Sequence, residues 1–322
     1  MTRVAPSVHH APSGDQHVIA SDGWRAHITQ VGATLRSLSA HGEEVISGFD
    51  VDERATDGRG QVLAPWPNRL TDGRYSYGGH DCQAPLNEPS RHGAIHGLVR
   101  WSDWSPEDQG PTSVTMSTAV RPQPGYEWHL ELQLTYSLAS DGLTVTFSAL
   151  NIGSETAPFG VGFHPYLTVR SRPIEELELT LPATRYLSAS PAGEPMTVPA
   201  TATWADFTTA RAIGRTELDT AFSGLVRDAD GRAVARLAEP GDGRAVQLWV
   251  DEGYRHLMVY TADRVLRDDR RRTAVALEPM TCPPDALRSG QDLIELGPGA
   301  TWQGSWGITV QAEVPGAPGS SR

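Results

Sequence analysis

Apolar and polar residues alternate with a period of two along much of this chain, and long helical periodicity is absent. In residues 129–138 the apolar side chains fall at 130, 132, 134, 136 and 138; in residues 143–149 they fall at 143, 145, 147 and 149. Successive side chains of a strand point to opposite faces, so each segment predicts a strand with one buried face. Ser140-Asp141-Gly142 between them is a good hairpin turn. Further strands are expected at 18–20, 24–29, 35–40, 44–48, 113–119, 159–163, 176–181, 233–237, 245–250, 256–260, 273–278 and 306–310. Only two short stretches, 50–56 and 284–288, read as helices. Many short strands punctuated by 32 Gly and 24 Pro predict an all-β protein, a sandwich or barrel.

No composition break, linker or repeat divides the chain. One β domain over residues 15–312 is the economical architecture, with residues 1–14 a flexible leader and 313–322 a disordered tail. No run approaches the roughly 18 apolar residues of a membrane span, and residues 1–14 lack the apolar core of a secretory signal. The net charge of −12 disfavours nucleic acid, because phosphate binding wants a basic surface. Arg270-Arg271-Arg272, flanked by Asp268 and Asp269, reads as a solvated turn. Cys82 and Cys282 are too few for a disulfide framework, and no CxxC pair exists for zinc, so free thiols and a cytoplasmic location are expected. All 27 basic residues are arginine. Without a lysine amine, Schiff-base aldolase chemistry, lysine-anchored pyridoxal phosphate and a Walker-type phosphate loop are excluded.

Several segments carry candidate chemistry. On a strand over 273–278, Glu278 shares its face with Ala274 and Ala276, which leave room above the sheet, and Pro279 ends the pairing. A carboxylate there can take a proton from something that enters; a surface glutamate at an edge is the plainer alternative. In residues 159–164 alternation places Gly160, Gly162 and His164 on one face. Glycine inside a strand marks close approach by a ligand or another backbone, while a hydrogen-bonded core histidine is the other reading of His164. The segment 64–70, Ala-Pro-Trp-Pro-Asn-Arg-Leu, is a proline-stiffened loop displaying Asn68 and Arg69. A guanidinium held this way suits vicinal hydroxyls or a carboxylate, and a structural ion pair is equally compatible. His92 and His96 stand four apart, but HExxH is absent and the surrounding glycines argue against a helix, so no metal site is expected. Residues 217–222 offer Asp219 in a turn. Trp66, Trp101, Tyr166 and Trp249 offer aromatic faces to a sugar ring, with Trp249 the best placed by parity and buried packing the alternative for each.

Taken in order, Asn68-Arg69, His96-Gly97, His164-Pro165-Tyr166, Asp219, Glu278-Pro279 and Pro284-Asp285-Ala286 resemble the motifs of the aldose 1-epimerase (galactose mutarotase) family, over a span of about residues 15–312. The Pro-Trp-Pro-Asn-Arg-Leu and Ala-Ile-His-Gly-Leu-Val-Arg-Trp versions are similar to a bacterial branch, some of whose members serve sugar catabolism, including sulfoquinovose use. The resemblance implies a large β-supersandwich with few helices, and a site needing no metal or organic cofactor. It implies a small-molecule sugar as the partner and a monomer or homodimer as the assembly. It further implies Glu278 as general base and His164 as general acid, with Arg69, His96, Asp219, Asn68 and Tyr166 around the sugar. Leu167 departs from the family's usual aromatic at that position, and the surroundings of Asp219 match less well than the rest.

On this reading Glu278 takes the proton of the anomeric hydroxyl and His164 protonates the ring oxygen. The pyranose opens, the aldehyde rotates, and reclosure gives the other anomer. Ordinary pKa values of about 4.3 and 6.5 would suit the two roles. Three rivals share the residues. A glycosidase would pair Asp219 with Glu278, and a sugar-binding protein would use the pocket without catalysis. An epimerase for a phosphorylated or sulfonated hexose would want arginines at the rim, for which Arg74, Arg91 and Arg100 are available.

Overall fold

The computed structural model describes residues 11–189, 195–241 and 244–311. Its architecture is a large β-supersandwich: a nine-stranded and an eight-stranded sheet, with a four-stranded sheet and three two-stranded ones beside them. The hairpin foreseen at Ser140-Asp141-Gly142 joins Leu130–Ala139 to Gly142–Asn151, with Ala139 opposite Gly142. Its alternation does what the sequence demands: Leu130, Leu132, Leu134 and Tyr136 are buried while Glu131 and Gln133 are exposed. Strands Trp24–Thr29, Leu35–Ala40, Ala245–Val250 and His256–Tyr260 begin and end where the pattern places them.

One apolar cluster lies between the large sheets. Phe147 of the nine-stranded sheet meets Phe163 of the eight-stranded sheet with ring centroids 6.0 Å apart, and Phe163 meets Trp306 at 5.1 Å. Burial of each such side chain stabilises the fold by roughly 1.5–3 kcal/mol.

Several expectations need correction. Residues 50–56 form turns rather than a helix: the Glu53 carboxylate accepts from the Asp50 amide and pairs with Arg267 and Arg270, tying the segment to a distant strap. The second expected helix survives as one turn, Ala286–Ser289. Residues 11–14, placed in the leader, form a turn on the sheet, where Ser13 is buried and its carbonyl accepts from Val31 at 3.0 Å. The remaining leader, 1–10, and the expected tail, 313–322, lie outside the described residues. The run Arg270–Arg272 is not a solvated turn, since Arg270 pairs with Glu53 and Arg272 with Glu175 and Asp263. Cys82 and Cys282 are both buried free thiols. No helix among the described residues is long and apolar enough to cross a membrane.

Candidate active site

Glu278 lies on Val275–Met280, a strand inside the eight-stranded sheet that pairs with His256–Tyr260 on one side and with Gly162–Phe163 and Tyr166–Leu167 on the other. An edge position is therefore excluded, and the residue is only 2% exposed. Ala274 and Ala276 do leave space above the sheet, and the ring of Tyr166 occupies it. Tyr166 in turn stacks on His164, with ring centroids 4.9 Å apart and planes 17° from parallel. The small residues thus seat the histidine indirectly, bringing His164 Nε2 to 3.3 Å from Glu278 Oε1.

The expected strand over 159–163 is interrupted. Ala157–Phe159 pairs with Ile294–Leu296, and Gly162–Phe163 pairs with residues 62–63 and with Met280, so the chain changes partners at Gly160-Val161. The two glycines serve packing rather than ligand approach: a Cβ on Gly160 would lie 2.5 Å from Cys282 Sγ, and one on Gly162 would lie 2.8 Å from Pro67 Cβ. That contact sets the proline-stiffened loop directly against the strand leading to His164. The backbone of His164 is clamped on both sides, its N–H donating to Gln61 and its carbonyl accepting from Gly60.

Asn68 and His96 lock together. The His96 amide donates to the Asn68 carbonyl at 2.9 Å, and the Asn68 amide donates to His96 Nδ1 at 3.2 Å. Because Nδ1 accepts from a backbone N–H, the neutral ring carries its proton on Nε2. Burial, with the neighbouring His164, Arg100 and Arg69, holds His96 well below its ordinary pKa, so it remains that neutral donor. Of its two readings Arg69 takes the structural ion pair. It makes a bidentate pair with Glu88, at 2.7 and 3.1 Å, and also reaches Asp219 at 3.7 Å. Asp219 opens the strand Asp219–Leu225 rather than sitting in a turn, and Arg91 approaches it at 3.6 Å.

These side chains line one cavity of about 580 Å³. Of the eight expected site residues the cavity gathers Glu278, His164, Arg69, His96, Asp219, Asn68 and Tyr166. Trp249 is the exception. It lies on the nine-stranded sheet, cross-strand from Gly307, whose missing side chain makes room for the indole, and Arg232 covers the ring at 4.0 Å. Parity identified the correct face of its strand as distinct from the core of Leu248 and Val250, but it could not tell which sheet faces the cavity.

Electrostatically the pair at the floor departs from ordinary values in opposite directions. Burial, reinforced by Asp219, raises the Glu278 carboxyl well above the usual carboxylate range. Burial, reinforced by Arg59, pushes His164 down to about 3. Between those limits the two groups hold a single proton.

The family described as aldose 1-epimerase matches residues 15–309. The chain belongs to that family. Uncharacterized protein YihR of Escherichia coli (strain K12) is 35% identical over 289 residues, covering 89% of this chain and 90% of that protein. Galactose mutarotase of Mus musculus is 28% identical over 195 residues, 55% of this chain and 56% of that one. Among solved structures, a putative aldose 1-epimerase from Escherichia coli K12 superposes with a TM-score of 0.79 at 22% identity, covering 92% of this chain and 99% of the other. A galactose mutarotase/aldose epimerase homologue from C. elegans gives a TM-score of 0.80 at 17% identity, with coverage of 92% and 99%.

Within this aldose 1-epimerase frame, some lining residues had no legible signal. Glu88, which fixes Arg69, stands in an ordinary-looking loop, and Tyr260, Asp263, Arg264 and Leu266 enter from a strand end and the strap after it. The Pro284-Asp285-Ala286 motif lies outside the cavity and anchors it. Asp285 Oδ1 accepts from the Thr71 amide at 2.9 Å, and the Asp285 amide donates to the Arg69 carbonyl at 2.8 Å. Arg74 is engaged elsewhere, donating to Gln83 within its own hairpin.

Proposed function

We propose that this family member interconverts the α and β anomers of a free, uncharged aldohexose. The observation that carries the reading is the Glu278–His164 pair, 3.3 Å apart at the buried floor of a sugar-sized cavity. Ring opening needs one proton accepted from the anomeric hydroxyl and one delivered to the ring oxygen. A pair that carries one proton before and after the step does both without net charge transfer. Glu278 acts as base and His164 as acid in the charge-separated tautomer, one proton shift away from the neutral resting form; the roles reverse on reclosure. Arg69 and the Nε2–H of His96 donate to sugar oxygens, and Asp219 accepts from a hydroxyl. Each positioned acid or base is worth roughly 10²–10⁴-fold.

The charge of the cavity supports an uncharged substrate. Arg69, Arg91, Arg100 and Arg264 are outnumbered by Asp57, Glu88, Glu217, Asp219 and Asp263, with Glu278 neutral in the resting pair. Arg69 and Arg91 already face Glu88 and Asp219. Exchange NMR on equilibrated galactose, glucose and a sulfonated hexose tests the reading. Cross-peaks between anomers are expected for the neutral sugars; silence with sugar binding intact would favour a binding protein. A tenfold preference for the sulfonated hexose would favour an anionic substrate.

The dyad also predicts an unusual pH profile. A second proton must go to His164, held at about 3, so kcat/KM should fall on the acid side far below the roughly 6.5 of an ordinary imidazole. On the alkaline side the rate falls as the raised Glu278 carboxyl loses the shared proton, above the ordinary carboxylate range. Stopped-flow polarimetry across pH checks this; an acid limb centred between pH 6 and 7 would contradict it.

A further inference from the structure

Arg59 does not line the cavity and is 1% exposed, yet it forms no ion pair among the described residues. Its Nη1 donates to the carbonyl and to the hydroxyl of Ser47, each at 3.1 Å, while Nε and Nη2 are buried with no partner. A buried unpaired cation is among the costlier things a fold can hold, and an apolar residue of the same size is often neutral or stabilising. What the guanidinium does have is an aromatic face: its Cζ lies 4.0 Å from the ring centroid of Tyr166. The Tyr166 ring also stacks on His164, and its hydroxyl is pinned to the Asp57 carbonyl at 2.9 Å. The turn carrying Arg59 is fastened to the histidine directly. Gly58, at φ +75°, presses on the imidazole so closely that a Cβ would stand 2.5 Å from His164 Cδ2, and Gly60 and Gln61 hold the His164 backbone.

We propose that Arg59 is a positioning residue of the acid–base pair: packed on Tyr166, it keeps His164 neutral and so leaves the shared proton with Glu278. The inference rests on reading Glu278 and His164 as that pair. Other charged or titratable groups face His164 as well. Glu278 lies 3.3 Å away and the His96 ring 5.4 Å away, Tyr166 stacks on it, and Arg69 and Arg100 act from across the cavity. Arg69 is compensated by Glu88 and Asp219. Arg59 disfavours the charged form of His164, adding to the effect of burial. The stack that carries this effect runs from the guanidinium through the Tyr166 ring to the imidazole. A histidine kept deprotonated until substrate arrives is a strong acid once charged, which suits delivery of a proton to a weakly basic ring oxygen.

The test is the imidazole titration of His164, followed by ¹H–¹³C NMR in the intact protein, for wild type, Arg59→Met and Arg59→Lys. Removing the cation packed on Tyr166, the ring that stacks on His164, favours the imidazolium, so in Arg59→Met the midpoint should rise by on the order of one unit. The acid limb of kcat/KM should rise with it, and Arg59→Lys should restore most of the wild-type behaviour. An unmoved His164 midpoint in folded Arg59→Met overturns the proposal. So does an equal shift in the lysine variant, which would trace the effect to packing. Should the methionine variant fail to fold, Arg59→Gln, which retains donors toward Ser47, reads the same shift. The titration requires no turnover: a shifted midpoint in a protein without anomer exchange would sink the proposed function and leave only the hold of Arg59 on the His164 charge state.

Discussion

Glu278→Gln should lower anomer exchange by about 10²–10⁴-fold and leave the protein at least as stable as wild type above pH 5. The amide keeps the shape of the neutral carboxyl but can neither accept the anomeric proton nor share one with His164. The stability half follows from linkage. Glu278 is fully buried and its pKa is raised in the folded state, so folding favours the protonated form. The stabilisation this gives is complete below the unfolded carboxyl's pKa and is lost as pH rises through the folded value. Glutamine mimics the protonated form at every pH. The melting temperature of the variant should therefore gain on wild type as pH is raised, a gap that parallel thermal melts from pH 4 to 9 would reveal. Wild-type turnover in folded Glu278→Gln would remove the residue from the chemistry. Loss of both activity and fold would instead make it structural.

Gly97→Ala should cost about 3 kcal/mol or more of stability and weaken sugar binding in whatever protein still folds. Gly97 sits at φ +65°, where L side chains are strained, and a Cβ would stand 2.1 Å from the carbonyl oxygen of Ala64 and 2.3 Å from its carbon. That carbonyl cannot retreat, because it accepts the Leu98 amide at 2.7 Å and belongs to the segment carrying Pro67, Asn68 and Arg69. His96, one residue away, is locked to Asn68. The strain thus falls on the seam between the two segments that carry Asn68, Arg69 and His96. Urea denaturation together with KM measures both effects. A loss below about 1 kcal/mol with unchanged KM would show that the seam yields more easily than the geometry indicates.

The strands were legible where one face is wet and the other dry. Residues 130–138 and 143–149 announce themselves, because Glu131 and Gln133 interrupt the leucines. Strands buried on both sides, or broken by glycine, hide. Residues 159–163 look continuous in sequence although their hydrogen bonds change sheets at Gly160, and Thr301–Gln311 is twice as long as its visible pattern because Gly304 carries no side chain to extend the alternation. The acid–base candidates were legible for a local reason: Glu278 and His164 each share a face with small residues and each precede a proline. Their mutual geometry was not, because it depends on Tyr166 filling the space above Ala276. Glu88 and Arg59 were missed for a related reason. Their significance lies in what stands beside them in space, an arginine 19 positions away for one and a stacked tyrosine for the other. The displacement of both pKa values likewise comes from burial, which no single residue announces.

The place of Thr301–Gln311 bears on how the molecule is made. This strand runs between Gly142–Asn151 and Ala245–Val250, so the nine-stranded sheet remains in two pieces until a segment near the end of the described chain arrives to join them. Asp285, which moors the Arg69 segment 214 positions earlier, is also a late arrival. A chain synthesised only as far as residue 300 can pair its early hairpins but cannot close this sheet. Joining by such distant partners is slow, and it leaves unpaired strand edges open to other chains meanwhile. Nascent copies should consequently lean on chaperones until synthesis passes Gln311, and frameshifts that remove this strand should yield aggregates rather than partly active enzyme.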